Sequence, residues 1–494
     1  MKKSDFIFLT AVSLLFYFLM RWDSASWYYS AIGDEYAFFN FAKEIALGKS
    51  VNPLNQDGVY GIIPTLSSIY QAGIMKVWGI NNAGWKTSEI LIVIFSFFPY
   101  YFLVKNLIND GVAKISLIIF ASSHYLWAYI HTGYPNIEAI FPTIFSIYFL
   151  WKGLKNKNWP WLFLSGIFAG LGFYTFYSSR VTILIIFSLA LINAIKTKFS
   201  FAKTAIKTLF PMACGFLLLF LPFLLVNKEA VFTKMLNESL ASSTEARTTT
   251  RTTLLLQNIP RSFSAFFSNS HIGPYVSGSL LDPISGMLFL GGLAIALINF
   301  RRLHFNLILI WYLWAFLTTG VFSEFSYVSV SRLNFLLPPA SIFAGLVFYK
   351  LKEIATERQF LFVSLGVLTI IFALNINRFY LETPKIFQLT PEATAIGAFL
   401  DECSQKKTVI IDNYYEPLLK PVIDSYQFPK PPTLISNNDF APIMLEKFDC
   451  FVFARKNDEE IQSTIRTFDK DQFITTNFTD FSKLTSIIVI KKYK

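Results

Sequence analysis

Apolar runs long enough to cross roughly 30 Å of hydrocarbon, about 20 residues each, recur from residue 6 to residue 376 of this 494-residue chain. No other feature restricts the fold as much. A content of 53% hydrophobic and 15% charged residues describes a protein whose main solvent is lipid. The run Phe6 to Met20 follows Lys2 and Lys3 as a signal peptide would. No small-residue cleavage site follows it, and Arg21, Trp22 and Asp23 come next, so it reads as an uncleaved first span.

Lysines before that span place the N-terminus in the cytoplasm and residues 23–85 outside. Spans are expected at about 5–22, 86–105, 113–131, 138–152, 159–177, 180–195, 208–226, 283–300, 304–322, 334–350 and 359–376, roughly eleven in all. The run Ile62 to Trp78 is long enough to be mistaken for another. If it crossed, the clusters Lys152/Lys155/Lys157, Lys196/Lys198/Lys203/Lys207, Arg301/Arg302 and Lys350/Lys352 would all lie outside, against the positive-inside rule. It also carries Thr65, Ser67, Ser68 and Gln71, so an interfacial helix is the better reading. A first interfacial helix precedes it: Phe38, Phe41, Ala42 and Ile45 share one face and Tyr36, Asn40, Lys43 and Glu44 the other, with Gly48 as its stop. The net charge of +11 lies largely in short clusters between apolar runs. It is a topology signal and calls for no nucleic acid.

Two further regions stand apart. The outer loop 227–282 carries a Ser/Thr-rich stretch from Ser242 to Thr253, interrupted by Arg247 and Arg251, and is a candidate substrate loop. Beyond a membrane domain of residues 1–376, residues 377–494 turn polar. There Thr408–Ile411, Cys450–Phe453 and Ser486–Ile490 read as strands between candidate helices near 391–402, 415–425, 439–446 and 457–467. A small α/β domain results, outside the membrane on the same face as the first loop. It has no Gly-rich phosphate loop. Cys403 and Cys450 lie in it, Cys214 in a span. The first two are either a disulfide, if the domain faces an oxidising compartment, or two ordinary buried thiols.

The chemistry concentrates in the outer connections. Asp34 and Glu35 open the first interfacial helix in Gly33-Asp34-Glu35. One reading makes them helix-terminal carboxylates that satisfy backbone N–H groups and the helix dipole. The other makes Asp34 an ionised base able to accept a proton from a hydroxyl. Glu138 follows Tyr134-Pro135-Asn136-Ile137 and opens a span, where a carboxylate is either an interfacial helix-terminal group or a functional one. Three cations fall near the same boundary: Lys86, Arg180 after Tyr174 and Tyr177, and Arg332 in Ser331-Arg332-Leu333-Asn334. Each is a candidate for phosphate, Arg bidentately, or a snorkelling anchor. His271, in the long loop, has no second histidine at metal-ligand spacing. The sequence leaves a divalent metal open.

In this order the segments "GDEYAFFNFAKEI", "VWGINNAGWK", "GYPNIEAIF", "GLGFYTFYSSR" and "SRLNFLLPP" resemble the GT-C superfamily of membrane glycosyltransferases over about residues 1–350. The nearest relatives look like the protein O-mannosyltransferases and the lipid A aminoarabinose transferases. The resemblance implies transfer, with inversion, of a sugar from an outward-facing polyprenyl phosphate to a hydroxyl of a lipid, glycan or protein acceptor at the cytoplasmic membrane. It implies Asp34 as base, Glu138 at the second acidic position, and Lys86, Arg180 and Arg332 where the lipid phosphate is held. Apart from the resemblance, Glu35, Tyr177 and His271 are further candidate substrate contacts, with a helix-terminal carboxylate and an ordinary loop histidine as the alternatives for Glu35 and His271. Two departures limit it. The aminoarabinose enzymes carry an Arg three residues after the Asp, where this chain has Ala37, and a Lys-Pro where it has Ile63-Pro64. The rival classes are a transporter of lipid-linked sugars, for which the repeats and paired half-helices are missing, and a scaffold whose outer domain binds a partner. The fold expected is a polytopic α-helical membrane protein with two interfacial helices in its first outer loop and a small extracytoplasmic α/β domain.

Overall fold

In the computed structural model, residues 2–22, 24, 34–55, 58–59, 63–196, 201–228, 251–268, 276–322, 330–383, 399–403, 405–411, 430, 432–436, 439–440, 444–453, 459–469, 471–479 and 486–493 are described. Among the described residues, fifteen helices of nine or more residues precede the sheet. They are α1 (Lys3–Arg21), α2 (Asp34–Ala46), α3 (Thr65–Trp78), α4 (Asn82–Leu107), α5 (Asp110–Ala121), α6 (His124–Thr132), α7 (Pro135–Asn156), α8 (Trp159–Tyr174), α9 (Tyr177–Ile195), α10 (Phe201–Val226), α11 (Arg251–Ser264), α12 (Pro283–Ile298), α13 (Leu303–Val321), α14 (Asn334–Ile354) and α15 (Glu357–Glu382). Among the described residues eight of these are long and apolar enough to cross a membrane: α1, α4, α7, α9, α10, α13, α14 and α15. The helices α8 and α12 are apolar but shorter.

The span expected at 113–131 is instead two helices. Ser122 closes α5 by donating its hydroxyl to the Ile118 carbonyl at 2.7 Å, and Ser123 caps α6. The Trp127 indole, 2.6 Å from the Ala121 carbonyl, spans the break. A continuous apolar run thus hides a corner that local side-chain hydrogen bonds build.

Hydroxyl pairs and close backbones hold the bundle together, as helices in lipid require. Ser146 and Ser165 each donate to the other's backbone carbonyl across α7 and α8, and Thr143 meets Thr182 at 2.7 Å across α7 and α9. Gly166 of α8 lies against the Met212 carbonyl, and Gly215 of α10 against the Phe163 carbonyl, so closely that a Cβ at either would strike backbone. At one end of α4, Lys105 bridges Asp5 and Asp110 at 2.6 and 2.7 Å. With about 1.5 Å of rise per residue, the other end of this 26-residue helix lies roughly 39 Å away.

The helix α2 is more enclosed than its sequence pattern implies. Phe38, Phe39, Ala42, Ile45 and Ala46 are buried, and so is Lys43, whose ammonium stands 5.5 Å from the Phe39 ring. Phe41, expected on the buried face, is only half-buried and takes Lys49 over its ring at 4.9 Å. The buried stripe is turned toward Phe39 because α2 packs on protein: Phe39 meets Trp85 of α4 and Phe38 meets Tyr134 before α7.

The C-terminal sheet has the order β2-β1-β3-β5-β4, with β1 (Thr408–Ile411), β2 (Thr433–Ile435), β3 (Cys450–Phe453), β4 (Phe473–Thr479) and β5 (Ser486–Lys492). β1 is parallel to β2 and β3, while β5 is antiparallel to β3 and β4. The three expected strands are present and β2 and β4 are additional. Of the expected helices, 415–425 lies outside the described residues and 391–402 almost wholly so. At the third, Met444–Lys447 is helical, and within the fourth, Glu459–Ile465. Cys403 and Cys450 form a disulfide, and Lys491 pairs with Glu402 beside it.

Candidate functional site

Gly133 ends α6 in the left-handed region, φ +68°, with the Trp85 ring packed against its α-carbon where a side chain would stand. That close approach lets the chain turn through Tyr134 into the single turn Pro135–Ala139, which presents Glu138. Pro at the first position suits such a start, because its missing N–H would have found no partner there.

Glu138 is buried and does not stand alone. The Gln71 side-chain amide of α3 donates to Glu138 Oε1 and to Glu89 Oε1, each at 3.0 Å, and its oxygen accepts from the Trp85 indole at 3.1 Å. Ser67, one turn before Gln71, also hydrogen-bonds Glu138. Thr65, Ser67, Ser68 and Gln71, the polar residues that marked α3 as interfacial, are all buried. They form the inner face of α3 rather than a face toward headgroups. Tyr70 donates to the Ser88 carbonyl at 2.9 Å. Burial first, then the nearby carboxyls of Glu89 and Glu138, push its phenol above the ordinary range. Glu89 was not singled out by sequence reasoning. The signal was there: a carboxylate one turn inside an apolar run, three residues after Lys86.

Arg180 is 7% exposed. Its guanidinium carbon stands 5.0 Å from the Tyr177 ring, 5.6 Å from Phe173 and 5.8 Å from Phe223, and among the described residues none of its three nitrogens has a hydrogen-bond partner. A buried guanidinium walled by aromatic rings, with no carboxylate bonded to it among the described residues, can take an anion. Its turn packs on Pro135–Ala139, which places it beside the segment that carries Glu138. Tyr134 and Phe176 touch across the same boundary.

Of the remaining expected residues, the structure describes Lys86 and Arg332. Lys86 is fully buried and donates to the Ser24 carbonyl at 3.1 Å, closing the first loop on α4. Arg332 is half-buried in the short helix Val330–Leu333, just before the turn Asn334–Leu336 that packs on Pro135–Ala139. Asp34 and Glu35 are the first two residues of α2, whose next turn is anchored by Phe38 and Phe39. Their side chains, and His271, lie outside what the structure describes. Among the described residues no group of three or more His, Cys, Asp and Glu is placed to hold a metal ion.

Residues 64–225 match the family described as Dolichyl-phosphate-mannose-protein mannosyltransferase. That interval holds α3 to α10, and with them Gln71, Lys86, Glu89, Glu138 and Arg180. Among solved structures the chain is similar to ArnT from Cupriavidus metallidurans bound to undecaprenyl phosphate, with a TM-score of 0.52 and 11% identity over 99% of this chain and 98% of that one. The apo form of that protein gives 0.50 at the same identity and coverage. The oligosaccharyltransferase AglB from Archaeoglobus fulgidus, in complex with an inhibitory peptide and a dolichol-phosphate, is less alike, at 0.48 and 11% over 92% of this chain and 69% of that one. No curated protein sequence matches the chain. The fold is that of the similar ArnT structure, as the resemblance of the sequence segments led one to expect.

Proposed function

We propose that the chain is an inverting glycosyltransferase that moves a sugar from a polyprenyl-phosphate donor to a hydroxyl of a lipid, glycan or protein acceptor on the outer face of the cytoplasmic membrane. The observation that carries this reading is Arg180, a buried guanidinium beside the Glu138 turn with three nitrogens unpartnered among the described residues. The undecaprenyl phosphate of the similar ArnT is the type of anion proposed for it.

In this reading Asp34, at the N-terminus of α2, accepts the proton of the acceptor hydroxyl as its oxygen attacks the anomeric carbon. The bond from that carbon to the phosphate oxygen breaks on the opposite side. The electron pair leaves with the polyprenyl phosphate, and configuration inverts. Because the second pKa of a phosphate monoester is about 6, the departing group needs no general acid. Arg180, with Lys86 and Arg332, offsets its developing charge. Glu138 occupies the second acidic position, and Glu35, Tyr177 and His271 line the substrate. With Cys403 bonded to Cys450, the C-terminal domain suits an oxidising compartment, which agrees with an extracytoplasmic position and a cytoplasmic N-terminus.

The test is transfer of labelled sugar from synthetic polyprenyl-phosphate donors by the purified chain in lipid vesicles. Activity in the wild type, and its loss in Asp34→Asn, is the expected result. Near-wild-type turnover in Asp34→Asn refutes the role of Asp34. Absence of transfer from any such donor, with binding and translocation of the same lipid intact, favours the transporter class instead.

A further inference from the structure

Trp85 decides which way the Gln71 amide faces. An indole N–H is a donor only, so the atom it meets is the amide oxygen. The NH2 group is thereby turned to the two glutamates, and both of its N–H bonds are committed, one to each carboxyl. This contact joins two positions 67 apart in the chain. Its neighbours add little positive charge. Ser88 lies 3.5 Å from Glu89 Oε1, Ser67 reaches Glu138, and the Tyr70 phenol is turned to a backbone carbonyl. Lys86, one turn before Glu89, donates to Ser24. Among the described residues no salt bridge includes either glutamate, and Glu89 Oε2 has no hydrogen-bond partner. Glu89 is 0% and Glu138 1% exposed. Two full charges gathered on one amide in such a shell would repel with little to offset them, whereas a carboxyl and a carboxylate attract.

We propose that Glu89 is a positioning residue for Glu138: the two side chains share one proton, and the Gln71 bridge fixes Glu138, α3 and α4 in a single relation. The pair then carries one charge. Because Gln71, Ser67 and Tyr70 all belong to α3, any displacement of that helix moves the carboxyl that faces the Pro135–Ala139 turn. The consequence for turnover rests on the glycosyl-transfer reading; the shared proton does not.

Two measurements on the full chain in lipid nanodiscs separate these. Infrared difference spectra between the wild type and Glu89→Gln, and between the wild type and Glu138→Gln, should both show loss of a protonated-carboxyl C=O band at neutral pH. A band unchanged in both variants overturns the proposal whether or not the protein transfers sugar. In the transfer assay Glu89→Gln, which can donate to Glu138 as the protonated acid does, should stay close to wild type. Glu89→Leu should lower kcat by about 100-fold, the cost of a displacement near 1 Å, with the donor KM unchanged. Equal kcat in Glu89→Leu and the wild type, per folded molecule, overturns the positioning role. Should Glu89→Leu fail to fold, the isosteric Glu89→Gln still decides through its spectrum. A wild type with no transfer but with the band lost in both variants would sink the functional reading and leave the carboxyl pair standing.

Discussion

Replacing Gln71 by Leu removes the one amide to which Trp85, Glu89 and Glu138 are all bonded. Leu is apolar and of similar volume, so packing changes little and the loss is mainly of hydrogen bonds. The buried Trp85 N–H loses its acceptor, which costs about 1–3 kcal/mol. The ionised member of the carboxyl pair loses a charge-assisted bond worth about 1.5–3 kcal/mol. The expected destabilisation is therefore about 3–5 kcal/mol, near the top of what single substitutions produce.

The converse change, Trp85→Phe, orphans the Gln71 oxygen at about 1–3 kcal/mol and leaves a small cavity beside Gly133. In the double variant there is no amide oxygen to orphan, so Trp85→Phe should cost less than it does alone, by a coupling of about 1–2 kcal/mol. Unfolding in a mild detergent, followed by circular dichroism for all four proteins, measures it. Strict additivity would refute the claim that the indole orients the amide, and with it the assignment of both amide N–H bonds to the glutamates.

Arg180→Leu should lower transfer by about 100-fold or more, with Arg180→Lys intermediate because an ammonium restores charge but not the fork; kinetics over donor concentration would show it. Gly215→Leu puts a side chain where the Phe163 carbonyl now stands and should cost at least about 3 kcal/mol or abolish folding, read from the monodisperse yield. Gly133→Ala combines a positive φ with a clash against the Trp85 ring and should lower the melting temperature by several degrees, whereas Gly73→Ala, with open space around it, should not. Without reductant the denatured chain should take a single maleimide, on Cys214, and after reduction three; three in both conditions would exclude the disulfide.

Much of the bundle was legible because its signal is local. A helix such as α10 needs only a sufficient apolar run, and the chain supplies it from Leu209 to Val226. The corner at Ser122-Ser123 was not legible, since two hydroxyls inside an apolar run are as common in an unbroken span. Nor was β4: Phe473-Ile474-Thr475-Thr476-Asn477 is too polar to stand out, and it becomes a strand because β5 offers it an edge from Thr479 back to Phe473. Among the residues proposed for the site, Asp34 and Glu138 drew attention by their positions at helix starts and Arg180 as a cation against the charge bias. Glu89 did not, because hydropathy reads α4 for its length and the carboxylate is tolerated only through an amide 18 residues away.

The polar face of α3 has a use in the structure other than the one its residues first suggested. Thr65, Ser67, Ser68 and Gln71 argued against a crossing because polar groups are costly in lipid. In the structure they avoid lipid by turning inward, where Gln71, Ser67 and Tyr70 spend their hydrogen bonds on Glu138, Glu89 and the Ser88 carbonyl. Bonds of this type between helices in lipid average about 0.6 kcal/mol and seldom exceed about 2, so no single one of them holds a 14-residue helix in place. Several converging on two carboxyls do, and they do so directionally. The polarity of α3 therefore fixes where that helix sits relative to Glu138, and a substitution such as Ser67→Ala should act on turnover through that distance before it acts on stability.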